Sequence, residues 1–155
     1  VNAKILKRNI NELTIEKDKN NWIDFFSLDI DSNDYWVLES LDLSKVSVLC
    51  CEYNHWLGNN RKLTIKYNED FKFVDNGIWG ASLLALTELL KNKEFSLIAV
   101  ESSGTNAFYI NNKHKEKFEI LSPLKSFKSV GRFYSEDKKK EIYRNVKQSK
   151  LFTEV

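Results

Sequence analysis

Four continuous apolar runs alternate with polar segments along this chain, and each run is bounded by residues that favour turns. Short apolar runs between turn signals are typical of strands buried on both faces of a sheet. The predicted buried strands cover residues 23–30, 46–53, 95–100 and 106–110. Weaker patterns predict two further strands, at residues 1–6 and 63–67.

Helical patterns lie between and after these strands. Leucines at helical spacing predict a helix over residues 80–91, and further helices are predicted at residues 9–17, 34–41 and 135–147. Alternating strands and helices predict an α/β fold with a mostly parallel sheet. Only a few residues join the last two buried strands, which is too short for a parallel crossover, so we expect that pair to be antiparallel.

The bulk properties fit one globular domain without a nucleic-acid or membrane partner. The 155 residues carry a formal net charge of +2, which gives no electrostatic reason to expect nucleic acid. No signal peptide, membrane-spanning run or lipidation motif is visible. We interpret the adjacent Cys50 and Cys51 as buried hydrophobes in a reducing compartment. We therefore expect a cytoplasmic protein.

Acidic residues follow three of the predicted strands at their carboxyl ends. Asp29, Asp31 and Asp34 follow the first strand, and Glu52 and Asn54 close the second. A Glu-Ser-Ser-Gly segment follows the third. Because ligands of open α/β sheets bind beyond the carboxyl ends of the strands, we expect a site here. If the first two strands are parallel neighbours, Asp29 or Asp31 lies close to Glu52.

Two uses of such a carboxylate cluster are open from the residues alone. Asp29, Asp31 and Glu52 would hold a hard divalent cation such as magnesium, since this cation prefers oxygen ligands. Alternatively, one carboxylate would act in general acid–base catalysis, with its pKa raised by its neighbours. In a plainer interpretation Asp34 caps the following helix and the other acids are solvated. His55 is a weaker candidate for a base or a ligand.

Five segments resemble, in order, FkbM-like and related S-adenosylmethionine-dependent methyltransferases. They are SLDIDSNDYWVLESL, CCEYN, YNEDF, GASLLAL and GTNAFYI, and the resemblance covers about residues 25–111. It implies the C-terminal half of a Rossmann-like methyltransferase fold, with strands four to seven of a seven-stranded sheet and an antiparallel last strand. Residues 1–113 would then be a partial methyltransferase domain, and residues 114–155 a C-terminal extension with a helix.

The resemblance also implies roles for the acids. In metal-dependent sugar O-methyltransferases of similar architecture, acids after the fourth and fifth strands hold a divalent ion. Asp29, Asp31 and Glu52 occupy those positions here, and Asn54 and Asp34 would complete the catalytic site. The family's glycine-rich cofactor loop and its ribose-binding acid precede these strands and are not in this chain. We therefore expect the chain alone to bind S-adenosylmethionine poorly and to be inactive.

Three functional hypotheses follow. The leading one is a fragment of a methyltransferase that acts on a hydroxyl of a small molecule or sugar. The second is a nucleotide-sugar transferase that uses the D-x-D segment at Asp29 and Asp31 to hold a metal. The third is a non-catalytic interaction domain of methyltransferase-like fold, which would self-associate through an uncovered sheet edge.

Overall fold

The computed structural model describes residues 22–129 and 134–155, so the predicted strand at residues 1–6 and helix at residues 9–17 lie outside it. Its strands are β1 (Ile23–Leu28), β2 (Val46–Glu52), β3 (Leu63–Ile65), β4 (Phe95–Val100), β5 (Asn106–Asn111) and β6 (Phe152–Glu154). Its α-helices are α1 (Asp34–Ser40), α2 (Leu83–Asn92), α3 (Pro123–Ser126) and α4 (Glu136–Gln148). Two 3-10 helices cover His55–Leu57 and Asn112–Lys117. No helix of this described part is long and apolar enough to cross a membrane.

Four strands form one mixed sheet in the order β1-β2-β5-β4. β1 and β2 are parallel, whereas β5 is antiparallel to both of its neighbours, β2 and β4. β1, β2 and β4 therefore point in the same direction and β5 runs against them. The antiparallel arrangement predicted for the last two strands is confirmed. The predicted mostly parallel sheet is a mixed one, because β5 lies between two strands of the opposite direction.

The helices α1 and α2 cover one face of this sheet and form the main hydrophobic core with it. Alternate residues at the end of β2, Leu49, Cys51 and Tyr53, are fully buried in this core. α2 contributes its apolar face of leucines, each of which stabilises the fold by about 1.5–3 kcal/mol when buried. The hydroxyl of Ser82 caps α2 by accepting a hydrogen bond from the N–H of Ala85.

One helix start differs from the sequence-based prediction, whereas α1 begins at Asp34 as predicted. The helix predicted over residues 80–91 begins only at Leu83, because Gly80 has a left-handed φ of 53° and Ala81 forms an isolated β-bridge with Thr64. Asn33 stands at the N-cap of α1 but makes no capping hydrogen bond there. The other predicted strands and helices within the described residues are confirmed to within a few residues at their ends.

A second, smaller layer joins the C-terminal segment to the segment after β2. β3 and β6 pair antiparallel, and no pattern in the sequence predicted β6. Beside this pair, Trp56, Trp79 and Ile142 form a satellite core. Gly77 has φ of 81° and lies so close to α4 that a Cβ atom there would meet Ile142 and Val146. The domain boundary at residue 113 stays a prediction. The β3–β6 pair joins a strand before this boundary to a strand after it.

Candidate active site

The parallel pairing of β1 and β2 brings the predicted carboxylates together. Leu28 lies opposite Cys51 in this pair. The next residues along the chain, Asp29 after β1 and Glu52 at the end of β2, therefore lie side by side at this end of the sheet. Asp31 follows in the turn after β1. Carboxylate oxygens of Asp29, Asp31 and Glu52 all lie within 4.8 Å of one another. The predicted proximity of these three residues is therefore present in the structure.

The turn after β1 is folded around the carboxylate of Asp34. Its Oδ1 accepts the N–H of Ile30 at 3.0 Å, and its Oδ2 accepts the N–H of Ser32 at 3.0 Å. The hydroxyl of Ser32 donates to the carbonyl of Ile30 at 3.1 Å. Within this turn Asp31 adopts a left-handed φ of 58°, which aspartate tolerates better than most residues. The Asp34 side chain thus supports the turn from inside and is only 2% exposed.

Glu52 is the most strongly perturbed acid of the cluster. Its Oε2 is buried and has no hydrogen-bond partner among the described residues. Burial is the largest cause of its raised pKa, which reaches about 8 in place of the usual 4.5. The negative charges of Asp29, Asp31 and Asp34 add to this shift in that order. Because a raised pKa reports that the charged form is disfavoured, no positive charge of the described residues balances Glu52.

The pKa values of Asp31 and Asp34, which belong to the turn after β1, are shifted in the same direction as that of Glu52. Burial raises the pKa of Asp31, and the charge of Asp29 raises it further. Burial also raises the pKa of Asp34, although the backbone N–H groups of Ile30 and Ser32 oppose the shift. Among residues 22–129 and 134–155, no lysine, arginine or histidine forms an ion pair with these carboxylates.

This donor set fits a hard divalent cation. Three converging carboxylates supply only oxygen ligands, which Mg²⁺ and Ca²⁺ prefer. The unpartnered Oε2 of Glu52 is a buried acceptor that a cation would satisfy. S-adenosylmethionine is not matched in the same way. The described residues contain no glycine-rich turn between a strand and a helix, so we assign none of them to that cofactor.

Asn54, which was predicted to complete the site, is hydrogen-bonded to the backbone of a neighbouring segment. It is 0% exposed, and its Nδ2 donates to the carbonyls of Gly77 and Trp79 at 2.9 and 2.7 Å. Its Oδ1 accepts the N–H of Trp56 at 2.9 Å. These bonds give Asn54 a scaffold role beside the site, and its catalytic role stays a prediction.

The acid that follows β4 does not join the cluster. Glu101 is exposed, and its carboxylate accepts hydrogen bonds from the hydroxyl of Thr105 and the amide of Asn106. These side-chain hydrogen bonds, led by Thr105, lower the pKa of Glu101. Asn106 stands opposite Glu52 in the β2–β5 pair and so separates the two glutamates. Glu101 therefore differs from Glu52, because its pKa is lowered whereas the pKa of Glu52 is raised.

Two features next to the site were not visible in the sequence. The side chain of Asn33 donates to the carbonyl of Asn68 at 2.8 Å and accepts its N–H at 3.2 Å, which fastens the segment after β3 to the acidic turn. Thirty-five positions separate the two residues, and no local pattern predicts such a bond. His55 is 4% exposed and packs on Trp56, and neither of its ring nitrogens has a hydrogen-bond partner within residues 22–129 and 134–155. Burial lowers the pKa of His55 to about 4.

A cavity of about 610 Å³ lies at the other end of the sheet and contains none of these carboxylates. Residues before β2 and β4 and after β5 line it, so it is remote from the strand ends that carry the acids. The convergence of perturbed acids, rather than cavity size, therefore identifies the candidate site.

Comparisons with known proteins found no relative that would assign a role to this geometry. No protein-family model matches the chain, and searches of curated proteins and of solved structures gave no match. The arguments for function consequently rest on the fold and on the carboxylate cluster.

Proposed function

We propose that this chain forms the acceptor-binding part of an S-adenosylmethionine-dependent methyltransferase that acts on a hydroxyl group of a small molecule or sugar. The observation that carries the proposal is the convergence of Asp29, Asp31 and Glu52 beyond the carboxyl ends of β1 and β2. Open α/β sheets bind their ligands at that edge.

The topology of the sheet supports the same proposal. The resemblance to methyltransferases implies four consecutive strands with the last one inserted antiparallel. In the structure β5, the last strand of the main sheet along the chain, lies between β2 and β4 and opposes both. A fold of this kind hosts many chemistries, so the topology supports the class of protein and the carboxylates support the reaction.

The charge balance of the cluster favours a cation over an unaided base. With a pKa of about 8, Glu52 is mostly protonated at neutral pH and is a poor proton acceptor there. A divalent cation, when bound, would supply Lewis acidity that makes an acceptor hydroxyl more acidic. Asp29, Asp31 and Glu52 would hold it. Asp29 or Asp31, both of which are exposed, would take the hydroxyl proton through a carboxylate oxygen that does not contact the cation.

The methyltransferase assignment is tested by calorimetric titration of S-adenosylmethionine into the full-length gene product. We expect saturable binding with a dissociation constant in the micromolar range. Glu52→Gln should bind the cofactor as tightly as the unaltered protein, because Glu52 belongs to the acceptor side. Absence of binding by a folded full-length product would refute the assignment.

The D-x-D segment also leaves a nucleotide-sugar transferase as the second candidate. Asp29 and Asp31 would then hold a manganese ion that bridges to a nucleoside diphosphate. The described surroundings favour this less, since no basic side chain pairs with the acids to receive phosphate charge. A rise in melting temperature with uridine or guanosine diphosphate plus Mn²⁺, and none with S-adenosylmethionine, would favour it over the methyltransferase.

The predicted partners follow from the same proposal. The acceptor is a small molecule, and neither nucleic acid nor a membrane is expected to bind. β1 has a strand neighbour on one side only among the described strands, and Phe25 on β1 is 54% exposed. Self-association through this edge, and a non-catalytic role, would appear as a concentration-dependent dimer in size-exclusion chromatography. A monomer at all concentrations would count against that role.

A further inference from the structure

The acidic turn after β1 contains one carboxylate that the cluster itself does not use. Asp34 is 2% exposed, and both of its carboxylate oxygens are engaged with backbone N–H groups of the turn. The ligand-like oxygens of Asp29, Asp31 and Glu52 converge without it. Asp34 therefore differs from Asp29, Asp31 and Glu52 in what its carboxylate contacts.

We propose that Asp34 is a positioning residue, which fixes the turn so that Asp29 and Asp31 face Glu52. This inference rests on the proposed function, because it assigns to the same cation site a residue that holds the ligands in place. Each bond from Asp34 restrains a residue that directly neighbours a cluster aspartate. Ile30 lies between Asp29 and Asp31, and Ser32 follows Asp31.

The geometry of the turn explains why it needs this restraint. Asp31 has a left-handed φ of 58°, a conformation that is unfavourable for a residue with a Cβ atom. Two hydrogen bonds to a buried carboxylate, each 3.0 Å long, hold the residues on both sides of Asp31. Without them the turn would relax, and the repulsion between the carboxylates of Asp29 and Asp31 would move them apart and away from Glu52.

Loss of a negative charge near the cluster would also weaken cation binding. Two substitutions of Asp34 distinguish this effect from a loss of positioning. Asp34→Asn removes the charge and places an NH₂ group against one of the two N–H donors. Asp34→Glu keeps the charge but displaces the carboxylate by about 1.5 Å, one C–C bond length. Glu39→Gln is the matched control, since Glu39 is exposed on α1 and its loss removes one negative charge without touching the turn.

The test is Mn²⁺ binding to the chain and its variants, measured by electron paramagnetic resonance and corrected for the folded fraction. We expect both Asp34 variants to bind Mn²⁺ at least about tenfold more weakly than the unaltered chain, as is usual for residues that orient ligands. Glu39→Gln should bind it unchanged. Unaltered affinity in Asp34→Glu would overturn the proposal, and so would a loss of thermal stability without a loss of affinity.

A metal-free measurement keeps the inference separate from the proposed function. Amide hydrogen exchange should be slow at Ile30 and Ser32 in the unaltered chain and faster by about tenfold or more in both Asp34 variants, with β2 unaffected. If the unaltered chain binds no Mn²⁺, the cation of the proposed function fails, and the exchange rates decide whether Asp34 fixes the turn. Unchanged exchange at Ile30 and Ser32 would refute the positioning role.

Discussion

Replacement of Glu52 by glutamine should stabilise the protein at alkaline pH and leave its stability unchanged at acidic pH. In the folded state the pKa of Glu52 is about 8, whereas the unfolded chain has the ordinary value of 4.5. Between these values the folded protein holds a proton that the unfolded chain has lost, so the free energy of unfolding falls as pH rises. Below pH 4.5 both states are protonated and the penalty is absent. Glutamine cannot ionise and removes it throughout.

The size of the effect follows from the difference between the two pKa values. That difference, 8 minus 4.5, is about 3.5 units, and at about 1.4 kcal/mol per unit the ceiling is on the order of 5 kcal/mol above pH 8. Glu52 is only partly buried, so solvent screening should reduce the observed gain to about 2–3 kcal/mol.

The assay is urea denaturation of the unaltered chain and Glu52→Gln at pH 5, 7 and 9, with a chelator present throughout. The stability difference should be smallest at pH 5, at most about 0.8 kcal/mol, and largest at pH 9. Glu101→Gln is the matched control, because Glu101 also ends a strand but its pKa is lowered. It should give no alkaline gain. A Glu52→Gln protein that is less stable at pH 9, or a difference independent of pH, would refute the electrostatic description of the cluster.

Four further predictions concern the cluster and its scaffold. Affinity for Mg²⁺ or Mn²⁺ should rise with pH up to about pH 8, because a cation must displace the proton of Glu52, and calorimetry at pH 6, 7 and 8 measures this. Asn54→Ala should lower the free energy of unfolding by about 2–4 kcal/mol in urea denaturation, since it leaves buried carbonyl and N–H groups without partners. Gly77→Ala should lower the free energy of unfolding by about 3 kcal/mol, because Gly77 has a positive φ and the new methyl group would overlap side chains of α4. A stability within about 0.5 kcal/mol of the unaltered chain would contradict this packing. The pKa of His55 is about 4 when folded and 6.5 when unfolded, so His55 destabilises the folded state increasingly as pH drops through that interval. In thermal melts the melting temperature of the unaltered chain should therefore fall relative to that of His55→Phe between pH 6.5 and pH 4.

The strands of the main sheet and the position of the acids along the chain were predictable because they depend on local signals. Apolar runs that end in acids marked β1 and β2, and the pairing of parallel neighbours implied that Asp29 would meet Glu52. The short connection between β4 and β5 excluded a parallel crossover. These inferences needed only strand periodicity and the direction of the chain.

Contacts between distant segments were not predictable from one sequence. The β3–β6 pair joins strands that lie far apart in the chain, and three-residue strands carry little periodic signal. The same holds for Asn54, which donates to the carbonyls of Gly77 and Trp79, 23 and 25 positions further along the chain. Polar residues beside a strand end look alike in sequence whether they face a ligand or the backbone. Only the fold separates Asp34 and Asn54 from Asp29 and Glu52.

A crystal of the protein soaked in Mn²⁺ and recorded at a wavelength that gives anomalous signal from manganese tests the central claim most directly. Our account predicts one anomalous peak among Asp29, Asp31 and Glu52, with carboxylate oxygens at about 2.0–2.6 Å, the range spanned by hard divalent cations. The peak should be missing from Glu52→Gln crystals and present in Glu101→Gln crystals. No peak at these carboxylates in the unaltered protein, or one held by other residues, would contradict the account.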